Sequence, residues 1–218
     1  MIKFCLRTLV LLQILSLVVT NFAFAENANQ PQIETNNKGQ TRHSTWILDY
    51  IHPIADFPRI GIQFQWYAHL LREPKAFSRA ITEFAERYRD SRIEAIASLD
   101  SRGFIFGAAL AYELKLPFIL IRKPGKLPGN VEKIDYELEY GHNSFEIEKD
   151  SLRLNQKVLV IDDVLATGGT AAAACALIER LGAEVVEVAC LIELPILQGR
   201  KRIAHPVFSL ISIEVQEK

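Results

Sequence analysis

Apolar residues recur along this chain with two alternating periods. Pro74–Asp90 sets Phe77, Ala80, Ile81, Phe84 and Tyr88 on one helical face and leaves the charges on the other. Ile93–Leu99 follows as a short apolar run, the pattern of a strand covered on both sides. The alternation continues with a helix over Phe104–Lys115, strands over Pro117–Ile121 and Lys157–Ile161, and a helix over Thr170–Leu181 ended by Gly182. A strand over Glu184–Ile192 follows, and Val207–Ile211 adds a fifth. Helices alternating with strands predict an α/β fold, a Rossmann-like, open, mainly parallel sheet flanked by helices.

One segment breaks this rhythm. Arg122–Asp135 is rich in Lys, Pro and Gly and has no apolar period, which predicts a long functional loop. Tyr136–Glu148 then alternates, with Gly141-His142-Asn143 as the turn of a hairpin. Loop and hairpin together would make a flexible lid. No internal repeat divides the remainder, so a single domain over 46–218 is the simplest organisation.

The N-terminus follows different rules. Lys3 and Arg7 precede the apolar run Leu9–Val19 and the small-residue end Ala23-Phe24-Ala25, the pattern of a secretory signal peptide over 1–25. The run is too short to span a bilayer, so the expectation is export with cleavage after Ala25 and no stable membrane anchor; in a bacterium the protein would be periplasmic. Residues 26–45, rich in Asn, Gln and Thr, read as a flexible linker. Composition narrows the partners. Lys and Arg total 25 against 26 Asp and Glu, a net charge of -1, which lacks the basic surplus that a nucleic-acid surface needs. The three cysteines follow no zinc spacing, and Cys175 and Cys190 sit in apolar stretches as small core residues.

Chemistry concentrates in Val158–Thr170, where the apolar run Val158–Ile161 leads through Asp162-Asp163 into Ala166-Thr167-Gly168-Gly169-Thr170 and a helix. Free amides at a helix start, glycines that admit an anion without a Cβ, and two threonine hydroxyls suit a phosphomonoester. Asp162 and Asp163 can accept hydrogen bonds from a sugar diol or face the water shell of Mg²⁺. The string is neither a Walker loop nor a dinucleotide fingerprint, and no nucleophile elbow occurs elsewhere.

This string resembles the phosphoribosyl-pyrophosphate (PRPP) motif of the type I phosphoribosyltransferases. Leu99–Gly107, Ile121–Gly129 and Leu138-Glu139-Tyr140-Gly141 resemble the loops of the adenine phosphoribosyltransferases within that family, with the likeness running from about Ile51 to Leu210. The resemblance implies the type I fold with a small N-terminal hood, a homodimer, Mg²⁺ held mainly by PRPP and water, and transfer of phosphoribose from PRPP to adenine. AMP and pyrophosphate would be the products. It further implies that Ala166–Thr170 with Asp162 and Asp163 bind PRPP, and that Ser101, Arg102, Gly103, Arg122, Lys123 and Lys126 hold pyrophosphate. Gln63, Phe64 and Gln65 would read the base, and Glu139 would act as general acid and base. Taken alone, Glu139 is an alternating hairpin residue and the 122–126 cations are a solvated loop.

The chain departs from the family in the hood. Gln65-Trp66-Tyr67-Ala68-His69 stands where the family usually continues Arg-Asp-Ile-Thr/Ser-Pro, so the expected arginine at Gln65 is missing. Trp66, Tyr67 and His69 then read as core packing, an interface or an altered base pocket. Two other functions stay compatible with the residues: transfer to another purine base, and PRPP or nucleotide binding without catalysis. Location has its own alternative, because enzymes of this family usually work in the cytoplasm.

Overall fold

Five runs of Ile, Val, Ala and Leu build the centre of the molecule. In the computed structural model they form a wholly parallel sheet of order β4-β3-β7-β8-β9. Its strands are β3 (Ala95–Leu99), β4 (Phe118–Ile121), β7 (Lys157–Leu165), β8 (Glu184–Glu193) and β9 (Val207–Ser212). The structure describes residues 44–138 and 141–214, and the side chains of these apart from 137–143. The leader over 1–25, the linker as far as residue 43, and Glu139 lie outside the described residues. All described residues belong to one unit spanning Thr41–Lys218. None of their helices is long and apolar enough to cross a membrane.

Both faces of the sheet are covered, which is why its strands read as near-continuous apolar runs. Ile96, Leu159, Ile161, Ala189 and Leu191 face a core shared with helices α2 (Pro74–Tyr88) and α3 (Gly103–Leu114). Ala95, Ala97, Leu99, Val158, Val160, Val188 and Cys190 face the opposite core, closed by helix α4 (Gly169–Arg180) and by Phe145 and Ile147. Helix α2 follows its pattern closely, burying Ala80, Ile81, Phe84 and Tyr88, with Pro74 in its first turn and Phe77 half-buried. Ser44 already belongs to the fold, since its amide donates to the Leu210 carbonyl at 2.9 Å. A 3₁₀ turn over Thr45–Tyr50 then buries Ile47, so the last two residues of the expected linker, Ser44 and Thr45, are part of the fold.

Two antiparallel hairpins flank the sheet. Strands β1 (His52–Ile54) and β2 (Phe64–Trp66) form the hood, and the short helix α1 (Ala68–Arg72) follows it. Strands β5 (Val131–Leu138) and β6 (Gly141–Glu148) form the second hairpin. It differs from expectation in two ways. The first strand starts at Val131, inside the stretch expected as loop, because Val131 and Ile134 pair with Glu148 and Phe145 and Phe145 is anchored in the core. Gly141-His142-Asn143 lies within the second strand, since Leu138 pairs directly with Gly141.

Strand β7 is also longer than its apolar run. It extends through Asp162 and Asp163 to Leu165, because β8 extends alongside it and pairs Asp162 with Cys190, Val164 with Ile192 and Leu165 with Glu193. The acid pair therefore lies within a strand, and not beyond its end as the sequence suggests.

Candidate active site

The chain order of the strands reverses between β3 and β7, with β4 leaving on one side and β8 and β9 on the other. Ligands of open α/β sheets bind outside the carboxyl ends of strands at such a switch point. A cleft of about 1060 Å³ lies here. Its walls come from the hood, from the turn after β3, from the end of β7 with the start of α4, and from the loop after β8.

The turn after β3 is held by close packing. Gly103, the first residue of α3, approaches β7 so nearly that a Cβ there would lie 2.7 Å from Asp162 Oδ1 and 2.9 Å from Ser98 Oγ. Ser98 is fully buried and donates to the Ile161 carbonyl at 2.8 Å, tying β3 to β7 at this point. The approach brings Arg102 over the acid pair, where its Nε lies 2.6 Å from Asp163 Oδ2. The Arg102 guanidinium also stands 5.0 Å from the centre of the Phe64 ring, so it reaches from the acid pair to the hood.

Asp163 is 3% exposed, and the same Oδ2 accepts a hydrogen bond from the Tyr67 hydroxyl at 2.8 Å. Burial, and then the Asp163 charge, push the Tyr67 phenol far up, so it is a neutral donor at every physiological pH. Asp162 Oδ1 accepts from the Asp163 amide at 2.9 Å. Burial, followed by the adjacent Asp163 charge, holds the Asp162 carboxyl well above the usual carboxylate range, with Arg102 opposing. Burial likewise pushes the Cys175 thiol up to about 12, and it raises Cys190, so neither is a nucleophile at neutral pH.

The start of α4 is shaped by a glycine pair. Gly168 has φ +79°, and a Cβ on it would lie 2.2 Å from the Gly199 carbonyl oxygen. Gly199 reciprocates, since its own Cβ would lie 2.2 Å from the Ala166 carbonyl oxygen. Arg200 pins this contact by a two-pronged pair with buried Glu193, at 2.5 and 2.6 Å, and by a bond to the Val207 carbonyl at 2.6 Å. Burial opposes ionisation of Glu193, yet Arg200 and the hydroxyls of Ser209 and Ser212 outweigh it and hold its carboxyl below the usual range. The loop over 166–168 is thus braced from behind while its front faces the cleft.

Of the residues singled out from sequence, the cleft wall unites Gln63, Phe64, Gln65, Ser101, Arg102, Lys123, Asp162, Asp163, Ala166, Thr167, Gly168 and Thr170. Gly169 continues that loop as the first residue of α4, and Gly103 contributes by its lack of a side chain. Arg122 and Lys126 are not among the lining residues. The Arg122 guanidinium donates to Asp100 Oδ2 and to the Lys126 carbonyl, each at 3.2 Å, so it ties the loop to the end of β3. Only the Lys126 backbone takes part there, and its side chain is exposed. Glu139 lies outside the described residues.

Sequence reasoning missed two parts of the wall. Ile62, Leu194, Ile196 and Leu197 line the cleft, and Ile62, Ile196 and Leu197 are exposed although apolar. The apolar Pro195-Ile196-Leu197 that follows the last residues of β8 was the available signal. Tyr67, which the sequence leaves as core packing, an interface or an altered base pocket, packs its ring 5.7 Å from Phe106 and gives its hydroxyl to Asp163 in the site. Among the described residues no group of three or more His, Cys, Asp or Glu could by itself hold a metal ion.

Comparison with known proteins agrees with this geometry. The family described as phosphoribosyl transferase domain matches residues 37–218. The chain is 52% identical over 166 residues to an adenine phosphoribosyltransferase of Chloroflexus aurantiacus, a match covering 76% of this chain and 96% of that one. Its structure is similar to the crystal structure of adenine phosphoribosyltransferase from Thermoanaerobacter pseudethanolicus, with TM-score 0.75, 43% identity, and 77% and 98% of the two chains covered. The Saccharomyces cerevisiae enzyme, crystallised with adenine and an imino-altritol bisphosphate, superposes with TM-score 0.74 at 39% identity, covering 78% of this chain and 98% of that one.

Proposed function

The chain belongs to the phosphoribosyltransferase family and, within it, to the adenine phosphoribosyltransferases; from that premise we propose how its cleft converts adenine and PRPP to AMP and pyrophosphate. The amides and hydroxyls of Thr167–Thr170 at the start of α4 receive the 5′-phosphate, where the helix end favours negative charge. Asp162 and Asp163, beside that loop, accept from the two ribose hydroxyls. Ser101, Arg102 and Lys123 meet the pyrophosphate, whose charge grows as its bond to the anomeric carbon breaks. Phe64, Ile62, Ile196 and Leu197 supply apolar surface for the purine, with Gln63 and Gln65 beside its polar edge. The observation that carries this reading is the meeting of the phosphate loop, the acid pair and Arg102 in one cleft at the switch point of the sheet.

Four acids line this cleft, Asp56, Asp100, Asp162 and Asp163, against the cations Arg102 and Lys123. Such an acidic floor suits a hydrated divalent cation carried in by a diphosphate and held mainly by substrate and water. Mg²⁺ bound in this way would neutralise the leaving pyrophosphate. The resemblance of Leu138-Glu139-Tyr140-Gly141 to the family assigns Glu139 the proton on the purine ring nitrogen, and the resemblance of the whole domain supports a homodimer. The leader Lys3–Ala25 supports export, with cleavage after Ala25.

The test is to supply purified protein with PRPP, Mg²⁺ and, separately, adenine, hypoxanthine, guanine and xanthine, and to identify the nucleotide by mass. AMP from adenine alone is expected, and a different nucleotide, or none, would overturn the reading. Mass spectrometry of the native N-terminus tests export, which a cytosolic chain beginning at Met1 would contradict. Sedimentation tests the dimer.

A further inference from the structure

The hood segment that departs from the family also supplies a contact to the acid pair. Tyr67 is as buried as Asp163, each at 3% exposure. Its hydroxyl and the Arg102 Nε converge on one atom, Asp163 Oδ2, at 2.8 and 2.6 Å. The two donors differ in freedom. Tyr67 is packed against Phe106 at the start of α1, whereas the Arg102 side chain is 45% exposed and borders the cleft.

Resting on the function proposed above, we infer that Tyr67 is a positioning residue for PRPP, holding the Asp163 carboxylate in its ribose-accepting orientation when Arg102 turns to the pyrophosphate. Arg102 has a single guanidinium to divide between Asp163 and the incoming diphosphate. Without a second donor, a guanidinium that swings its Nε from Asp163 to the diphosphate would leave Asp163 Oδ2 short of the partner that orients it, a costly change for a buried carboxylate. The Tyr67 hydroxyl removes this conflict because it stays neutral and in place while Arg102 moves. Arg102 is then free to act on the leaving group at no expense to ribose binding.

The test is Tyr67→Phe, which deletes one oxygen and keeps the ring on Phe106. KM and kcat are measured for PRPP and for adenine separately, with thermal unfolding and calorimetric PRPP binding in Mg²⁺ alongside. The expected result is a loss of about tenfold in kcat/KM for PRPP and in PRPP affinity, from one hydrogen bond to a charged acceptor. The KM for adenine and the Tm should stay near wild type. Tyr67→Ile should show the same PRPP loss with a larger fall in Tm, because only that change also removes the ring. An unchanged PRPP parameter in Tyr67→Phe would overturn the inference, as would equal losses for both substrates that track a lowered Tm. A wild-type protein that neither binds PRPP nor forms AMP would overturn the proposed function and this inference together. Wild-type activity beside an indifferent Tyr67→Phe overturns this inference alone.

Discussion

Two buried carboxylates in this protein each hold a tyrosine and an arginine, yet they serve different ends. Glu187 on β8 accepts from Tyr88 at 2.6 Å and from both Nε and Nη2 of Arg87, at 2.9 and 2.7 Å. The Arg87 guanidinium also stacks 4.1 Å from the centre of the Phe208 ring, so every group in that cluster is already engaged within the protein. Asp163 on β7 forms an ion pair with the Arg102 Nε at 2.6 Å, and it faces the cleft. A two-pronged pair with its hydrogen bonds filled locks helix α2 onto the sheet. The ion pair beside the cleft, with an arginine side chain 45% exposed, leaves that arginine able to change partner. The same three residue types thus make a fastener in one place and a binding device in the other, and geometry separates the two.

This contrast can be broken or sharpened by substitution. The largest effect is expected for Asp163→Asn, which removes the charge that orients Arg102 and accepts from ribose; kcat/KM should fall by about a hundredfold or more. Its Tm should hold or rise, as measured by calorimetry beside the assay. Gly168→Ala comes next, because a Cβ at φ +79° would meet the Gly199 carbonyl oxygen at 2.2 Å and displace the phosphate loop. PRPP affinity should drop by at least tenfold on titration, while adenine stacking on Phe64 is spared.

Glu187→Gln should reverse this pattern. Leaving Arg87 without its carboxylate is expected to cost about 2 kcal/mol, at the low end for a broken buried pair because Arg87 is half-exposed. Denaturant titration would show that loss, and kcat/KM at a temperature where the variant is folded should match wild type. The smallest effect concerns pH. Burial and the charge of Asp163 raise the Asp162 pKa above its unfolded value, so the folded state binds that proton more tightly. The resulting stability is complete below the unfolded pKa and is lost as pH rises through the folded one. In ligand-free protein, Asp162→Asn should therefore flatten the decline in Tm as pH rises above about 4.

Much of this was legible in the apolar pattern, for a physical reason. Strands covered on both faces must be apolar throughout, and helices such as α2 must show one apolar stripe, so burial writes itself into the sequence. Where pairing or close approach decides, the pattern is silent. The extension of β7 to Leu165 depends on β8 lying beside it, and the hairpin start at Val131 depends on partners at 145–148. The phosphate loop could be read because its residue types must sit together in the chain. Gly199, Leu197 and Tyr67 could not, since they reach the site from distant segments, and what matters is a missing Cβ, an apolar lip and a single hydroxyl. Arg122, which the resemblance assigns to pyrophosphate, also meets Asp100 at the end of a neighbouring strand, a contact between separate segments that no motif displays.

The most direct test compares PRPP-dependent formation of AMP from adenine in Asp163→Asn and Glu187→Gln, each assayed where calorimetry shows it fully folded. The account expects AMP formation to collapse in the first and to persist at the wild-type rate in the second. Persistence in Asp163→Asn, with loss in Glu187→Gln, would contradict the assignment of the cleft at the β3–β7 switch point as the active site.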